Sequence, residues 1–169
     1  MTHIEDLYHG RPYHNWEHIM QMREVLMWFR DIDRELDLAI LYHDAVYAPG
    51  MKDNEEESAA LACSHHPEHA DFLMKAIMAT KKHEATGDAK IDMFLDADMS
   101  ILGMAPHIYD KYRKGIREEY AMYSDEEYRL GRIAFLKSFD GFITPQFQRG
   151  FGDQARQNIA RELKELERG

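Results

Sequence analysis

An all-α, single-domain fold is what this sequence predicts. Apolar residues recur at helical spacing along nearly the whole chain, and no segment alternates apolar and polar residues for long enough to read as a strand. No repeat, low-complexity segment or Gly/Ser-rich linker divides the chain, and 169 residues suffice for one continuous core without staples.

The elements follow in order. From 15 to about 30, Ile19, Met22, Val25, Leu26 and Phe29 form one apolar stripe. From 33 to about 47, Leu36, Ile40 and Tyr47 lie together, with Asp33 as N-cap and "APG" at 48–50 as the stop. Asp53 with Glu56 three residues on has the capping-box pattern, opening a helix through about 63. The next runs from 67 to about 82, with Phe72, Leu73, Ala76, Ile77 and Thr80 on one side. Segments 91–102, 106 to about 122, 125 to about 139 and 152–167 complete the set, and Pro106 and Pro145 stand where a first helical turn would start.

Composition narrows the function. Apolar residues make up 44% and charged residues 31%, too apolar for a disordered chain. A net charge of −10 argues against binding duplex nucleic acid through broad phosphate contact, while a local metal or arginine cluster could still hold a small anion. No run of 18 uncharged apolar residues is present, so no membrane span is expected. "MTHIEDLYHG" has no basic region followed by an apolar run, and the single Cys63 cannot close an intramolecular disulfide; together these predict a cytoplasmic setting. The outlier is ten histidines, seven of them between positions 14 and 83.

Placing these residues on the helices exposes the chemistry. His18 lies on the stripe with Met22 and Val25, and His43 on the line of Leu36 and Ile40, with Asp44 next to it. Asp98 is four residues after Phe94 and four before Leu102, which sets a carboxylate on an apolar face. A lone inward histidine is usually a hydrogen-bonded core residue. An unpaired inward carboxylate costs several kcal/mol, roughly what would undo folding. Two histidines and two aspartates from three helices share one economical explanation, a divalent metal at their centre. Asp96 competes locally, but residues two apart on a helix point away from each other, and the apolar neighbours favour Asp98. Imidazole with carboxylate suits Mn²⁺, Fe²⁺, Co²⁺, Ni²⁺ or Zn²⁺. Neighbours at 43 and 44, about 100° apart on a helix, can flank one ion.

The strings "YHNWEHI", "LYHDAVY" and "LDADMSILG" resemble the HD superfamily of metal-dependent phosphohydrolases, and the resemblance covers most of the chain. It implies an all-helical HD-domain fold, with His18, His43, Asp44 and Asp98 binding one metal and a small phosphorylated molecule, such as a nucleotide, as substrate. "YHN-x-x-H" and "DMS" also resemble the catalytic core of cyclic-nucleotide phosphodiesterases. By that similarity His14 is the general acid for the leaving oxygen, its alternative being a surface histidine at a helix start. Asp44 would also orient the nucleophile or bridge to a second ion such as Mg²⁺. The chain departs from those enzymes in carrying Tyr47 where they have another histidine, and in its shortness, both of which weaken a cyclic nucleotide and a full two-metal site. Glu56 and His83 are candidates to supply or orient a second ion; the alternatives are the capping box for Glu56 and a favourable helix C-terminus for His83.

Phosphate recognition needs cations, and Arg11 is the first candidate, with Arg117 and Lys114 next; His83 could also face substrate. Arg129 and Arg132 read as solvated or paired with Glu126, "SHHPEH" at 64–69 as a surface helix start, and the eleven methionines as core filler. Two rivals remain: a di-iron oxygenase of the same frame, whose extra histidines would come from the His83 region, and a non-catalytic binding or regulatory protein that keeps a metal for structure.

Overall fold

Four of the helices start at a short polar side chain that caps them, Asn15, Asp33, Asp88 or Ser124. The Asn15 side-chain oxygen accepts the N–H groups of Glu17 (2.9 Å) and His18 (3.3 Å), and α1 (Trp16–Met27) follows. Asp33 accepts Leu36 N–H at 3.0 Å ahead of α2 (Arg34–Tyr42), as the sequence predicts, and Asp88 caps α5 (Ala89–Met99) the same way. The computed structural model describes residues 3–168. Among them the other helices are α3 (Asn54–His65), α4 (Ala70–Ala79), α6 (Pro106–Glu119), α7 (Asp125–Ser138) and α8 (Pro145–Leu166). Short 3₁₀ turns occupy Ile4–Tyr8, Pro67–His69 and Ser100–Gly103, and there is no strand among the described residues. The fold is all-α.

One core joins the helices. α1 packs on α2 and α5, α2 also on α4 and α5, α3 on α4, and α8 along the Ser100–Gly103 turn. Leu26, Leu36, Ile40, Leu73, Ile77, Phe94 and Phe147 are fully buried, each contributing about 1.5–3 kcal/mol relative to exposure. No helix among the described residues is long and apolar enough to cross a membrane.

Four expectations are corrected. α2 ends at Tyr42, five residues before Tyr47, so His43 is its C-cap and Asp44 lies in a turn. The carbonyls of this turn find side-chain donors: Arg11 reaches those of Asp44 (2.5 Å) and Ala45 (3.1 Å), and Ser58 Oγ takes that of Val46 (3.0 Å). Pro49 has no N–H to continue a helix onto Ala45. Second, the Asp53–Glu56 box does not form: Asp53 makes no capping bond, and the Glu56 carboxylate pairs with Lys81; the box forms at Ser124 and Glu127, ahead of α7. Third, the first turn expected at Pro145 and the segment expected over 152–167 are one helix, α8, which carries Gly150 and Gly152 inside it because burial of Phe147 and Phe151 outweighs their low helix propensity. Fourth, the methionines are not all core: Met22 and Met93 are buried, whereas Met20, Met27, Met51, Met74 and Met122 are exposed.

Candidate metal centre

Three helices meet where the two imidazoles face each other. His18 sits in the first turn of α1, His43 caps α2, and Asp98 lies near the end of α5. Both histidines are buried. The nitrogens His18 Nε2 and His43 Nε2 are 3.3 Å apart. Asp98 Oδ1 lies 3.1 Å from the first and 3.6 Å from the second, and Asp44 Oδ2 lies 3.0 Å from His43 Nε2 and 3.9 Å from His18 Nε2. His18, His43 and Asp98 form a group that could hold a metal ion, each offering an atom within 4.8 Å of the others. Asp44 flanks this triad from the His43 side.

The donor chemistry fits a cation. His43 Nδ1–H donates to the Ile40 carbonyl at 3.0 Å, which turns Nε2 toward the centre and leaves it free to bind a cation when the ring is neutral. His18 Nδ1 pairs with the Tyr13 hydroxyl at 3.2 Å; with Nδ1–H donated there, its Nε2 is also bare. Two imidazole nitrogens and two carboxylate oxygens then converge, a set that positive charge satisfies, either as a metal ion or as protons on the nitrogens. The electrostatics point the same way: burial works against a charged His43, but the Asp44 and Asp98 carboxylates outweigh it and raise its pKa well above the usual value. Burial likewise opposes ionisation of Asp98, yet His43, His18 and His83 hold its pKa well below the carboxylate range.

The second oxygen of Asp98 belongs to His83, whose Nε2 is 2.7 Å from Oδ2. His83, four residues past the end of α4, has a left-handed backbone (φ +52°) and brings its ring to the centre as a second partner for Asp98. Asp96, the local competitor, is also buried but points elsewhere. It accepts Ile143 N–H, Thr144 N–H (2.7 Å each) and the Thr144 hydroxyl (2.6 Å), tying α5 to the start of α8. Asp96 is thus the more deeply buried of the two, and direction rather than burial singles out Asp98.

His14 lies beside the centre, not on it. Its Nδ1 is 2.6 Å from Glu119 Oε2, and Glu119 Oε1 accepts the N–H groups of Tyr13 and His14 at 2.8 Å each. Its ring stacks on Tyr47 at 4.0 Å, so Tyr47 is a platform for His14. Burial disfavours a charged His14, and Glu119 together with the Asp44 and Asp98 charges more than compensates, raising its pKa. His14, Asp44, His83 and Asp98 share the lining of a cavity of about 450 Å³.

The cations expected to bind phosphate are engaged elsewhere. Arg11 donates to the His14, Asp44 and Ala45 carbonyls and lies between the Tyr8 and Tyr47 rings, holding the turn that presents Asp44. Arg117 donates to the Tyr120 and Tyr123 carbonyls and to Asp125. Neither lines the cavity. Glu56 is exposed and paired with Lys81, whereas its neighbour Glu55 reaches the lining. Arg129 pairs with Glu126 as expected, but Arg132 is buried against Glu162. Glu119, Tyr13 and Arg132 are the residues that sequence reasoning missed. Only Tyr13 carried a signal, being part of the "YHN" string.

No known protein family, curated protein or solved structure matches this chain.

Proposed function

We propose that the chain is a metal-dependent phosphohydrolase of the HD type, acting in the cytoplasm on a small phosphorylated substrate. The observation that carries this reading is the convergence of His18, His43, Asp98 and Asp44 beside a third histidine, His14, held by its own carboxylate, with Asp44, Asp98 and His14 lining one cavity. The first four residues would hold Mn²⁺, Fe²⁺, Co²⁺, Ni²⁺ or Zn²⁺. An ion there supplies the Lewis acidity that acidifies water and draws charge from a phosphoryl oxygen.

The chain's own groups supply the rest. His14, charged through Glu119, holds a proton at Nε2 for the departing oxygen of the ester. Glu119 and the stacked Tyr47 ring fix the direction of that proton. Asp44, unlike Asp98, has no histidine on its second oxygen among the described residues, and it is the carboxylate placed to accept a proton from water or to orient it.

The test combines metal analysis of purified protein with phosphate release from a panel of phosphoesters in Mn²⁺, Co²⁺, Ni²⁺ and Mg²⁺. His43→Ala and Asp98→Asn are expected to lose both metal and turnover. His14→Ala is expected to keep metal and to lose about 10²–10⁴-fold in rate. Bound metal with no phosphate released from any ester would overturn the reading; iron with oxygen consumption would replace it by the oxygenase. Equal metal loss in all three variants would remove His14 from its role as acid.

A further inference from the structure

The cavity over the metal centre is acidic and aromatic, and a single guanidinium faces it. Among the described residues of its lining, Arg132 is the only Arg or Lys, while Asp44, Asp98, Glu55 and Glu127 are carboxylates. The Arg132 side chain is 4% exposed. Its Nε and Nη2 donate to the two Glu162 oxygens (2.9 and 3.1 Å) and Nη1 donates to the Tyr112 hydroxyl (2.9 Å). Glu162 is fixed in turn by the Tyr109 hydroxyl. A guanidinium has five N–H groups. Among the described residues, one on Nη1 and one on Nη2 therefore have no partner.

What such a group binds follows from its charge balance. Glu162 neutralises Arg132, so the pair offers two directed N–H groups without a net positive field. The lining carboxylates would repel a second phosphate. A neutral planar ring with adjacent carbonyl and ring-nitrogen acceptors suits both conditions, since arginine grips that pair bidentately. The Tyr112 and Phe135 rings, centred 4.9 and 5.1 Å from the guanidinium carbon, provide aromatic surface beside it. Arg132 is also remote from the reacting end. The Tyr112 and Tyr13 rings, 4.6 Å apart, lie between it and His18.

We propose that Arg132, positioned by Glu162 and Tyr112, is the specificity-determining residue for the far end of the substrate, and that the substrate is a phosphomonoester whose alcohol carries a neutral planar ring with adjacent carbonyl and nitrogen acceptors. The ester half of this statement rests on the hydrolase reading; the ring half rests on Arg132 alone.

Calorimetry with two uncharged probes, in EDTA, tests the ring half without turnover. The probes are inosine, which has the carbonyl, and purine riboside, which lacks it. Inosine is expected to bind at least tenfold more tightly, and Arg132→Met to reduce it to the purine riboside level. Arg132→Met strands Glu162 in the core, so the Arg132→Met/Glu162→Gln double variant, checked by its melting curve, carries the same comparison while keeping an acceptor for Tyr109. Equal affinities for the two probes, no inosine binding, or inosine binding that survives in the folded double variant would overturn the proposal. Phosphate release separates the two readings. Arg132-dependent inosine binding with no turnover of any ester sinks the hydrolase and keeps the ring site. Glycerol phosphate turned over as efficiently as inosine 5′-phosphate, in wild type and double variant alike, does the reverse.

Discussion

His14, the proposed acid, depends on a carboxylate 105 residues away in sequence. Burial pushes the imidazole toward its neutral form, and Glu119, with the Asp44 and Asp98 charges, reverses that push. Glu119 is in turn held below the usual carboxylate range: burial raises its pKa, and the His14 hydrogen bond and charge lower it further than burial raises it. The signs define a window. A depressed Glu119 contributes stability above its unfolded pKa of about 4.5, lost as pH falls through its folded value. A raised His14 contributes stability below its unfolded pKa of about 6.5, lost as pH rises through its folded value. The pair therefore stabilises most between those values. As an acid, His14 must hold its proton, so turnover is expected to fall as pH rises through its raised pKa. In Glu119→Gln the alkaline limb of the kcat profile should move to lower pH; an unmoved limb would assign that limb to another group.

At the level of elements, Asp96 and Asp98 of α5 have different tasks, and variants separate them. Asp96→Ala removes the acceptor for two backbone N–H groups at the start of α8, at a cost of about 1–3 kcal/mol for each stranded donor. Denaturant melts should show that loss while metal content stays at the wild-type level, the converse of Asp98→Asn. The turn Ser100–Gly103 that follows α5 is held equally closely. A Cβ on Gly103 would lie 2.5 Å from Phe151 Cβ and 2.6 Å from its carbonyl oxygen, backbone that cannot yield, so α8 must move away. Gly103→Ala is expected to lower the melting temperature more than any exposed glycine substitution, such as Gly131→Ala, where the added Cβ meets nothing within 4 Å. The turn after α2 works by a different means: Arg11, Ser58 and Asn54 satisfy the backbone of residues 44–48 with side chains, so Asp44 can leave the helical path and approach the imidazoles.

Over the whole molecule, the candidate ligands come from α1, the end of α2 and α5, which pack on one another in the core. An ion bound there ties three helices and binds only the folded chain. At free metal 100 times its dissociation constant it should add about 2.7 kcal/mol, and each kcal/mol moves the melting temperature of a chain this size by about 2–4 °C. EDTA is thus expected to lower the melting temperature by roughly 5–10 °C in the wild type and by nothing in Asp98→Asn. An equal shift in both would show that the metal sits elsewhere.

Much of this was legible from local pattern, because periodicity and capping act over a few residues. The all-α class, the helix starts at Asn15 and Asp33, and the inward direction of His18, His43 and Asp98 are all written within single helical turns. Capping was legible as a rule but was assigned to Asp53 when Ser124 uses it, and Lys81, 25 residues on, takes the Glu56 carboxylate. What only the tertiary structure decided is which charged groups meet. Glu119 reaches His14, Arg132 reaches Glu162, Arg11 reaches the turn at Asp44, and Asp96 reaches the head of α8, across separations of 105, 30, 33 and 47 or more residues. A charged side chain's role depends on the partner that offsets its desolvation, and local sequence does not contain that partner.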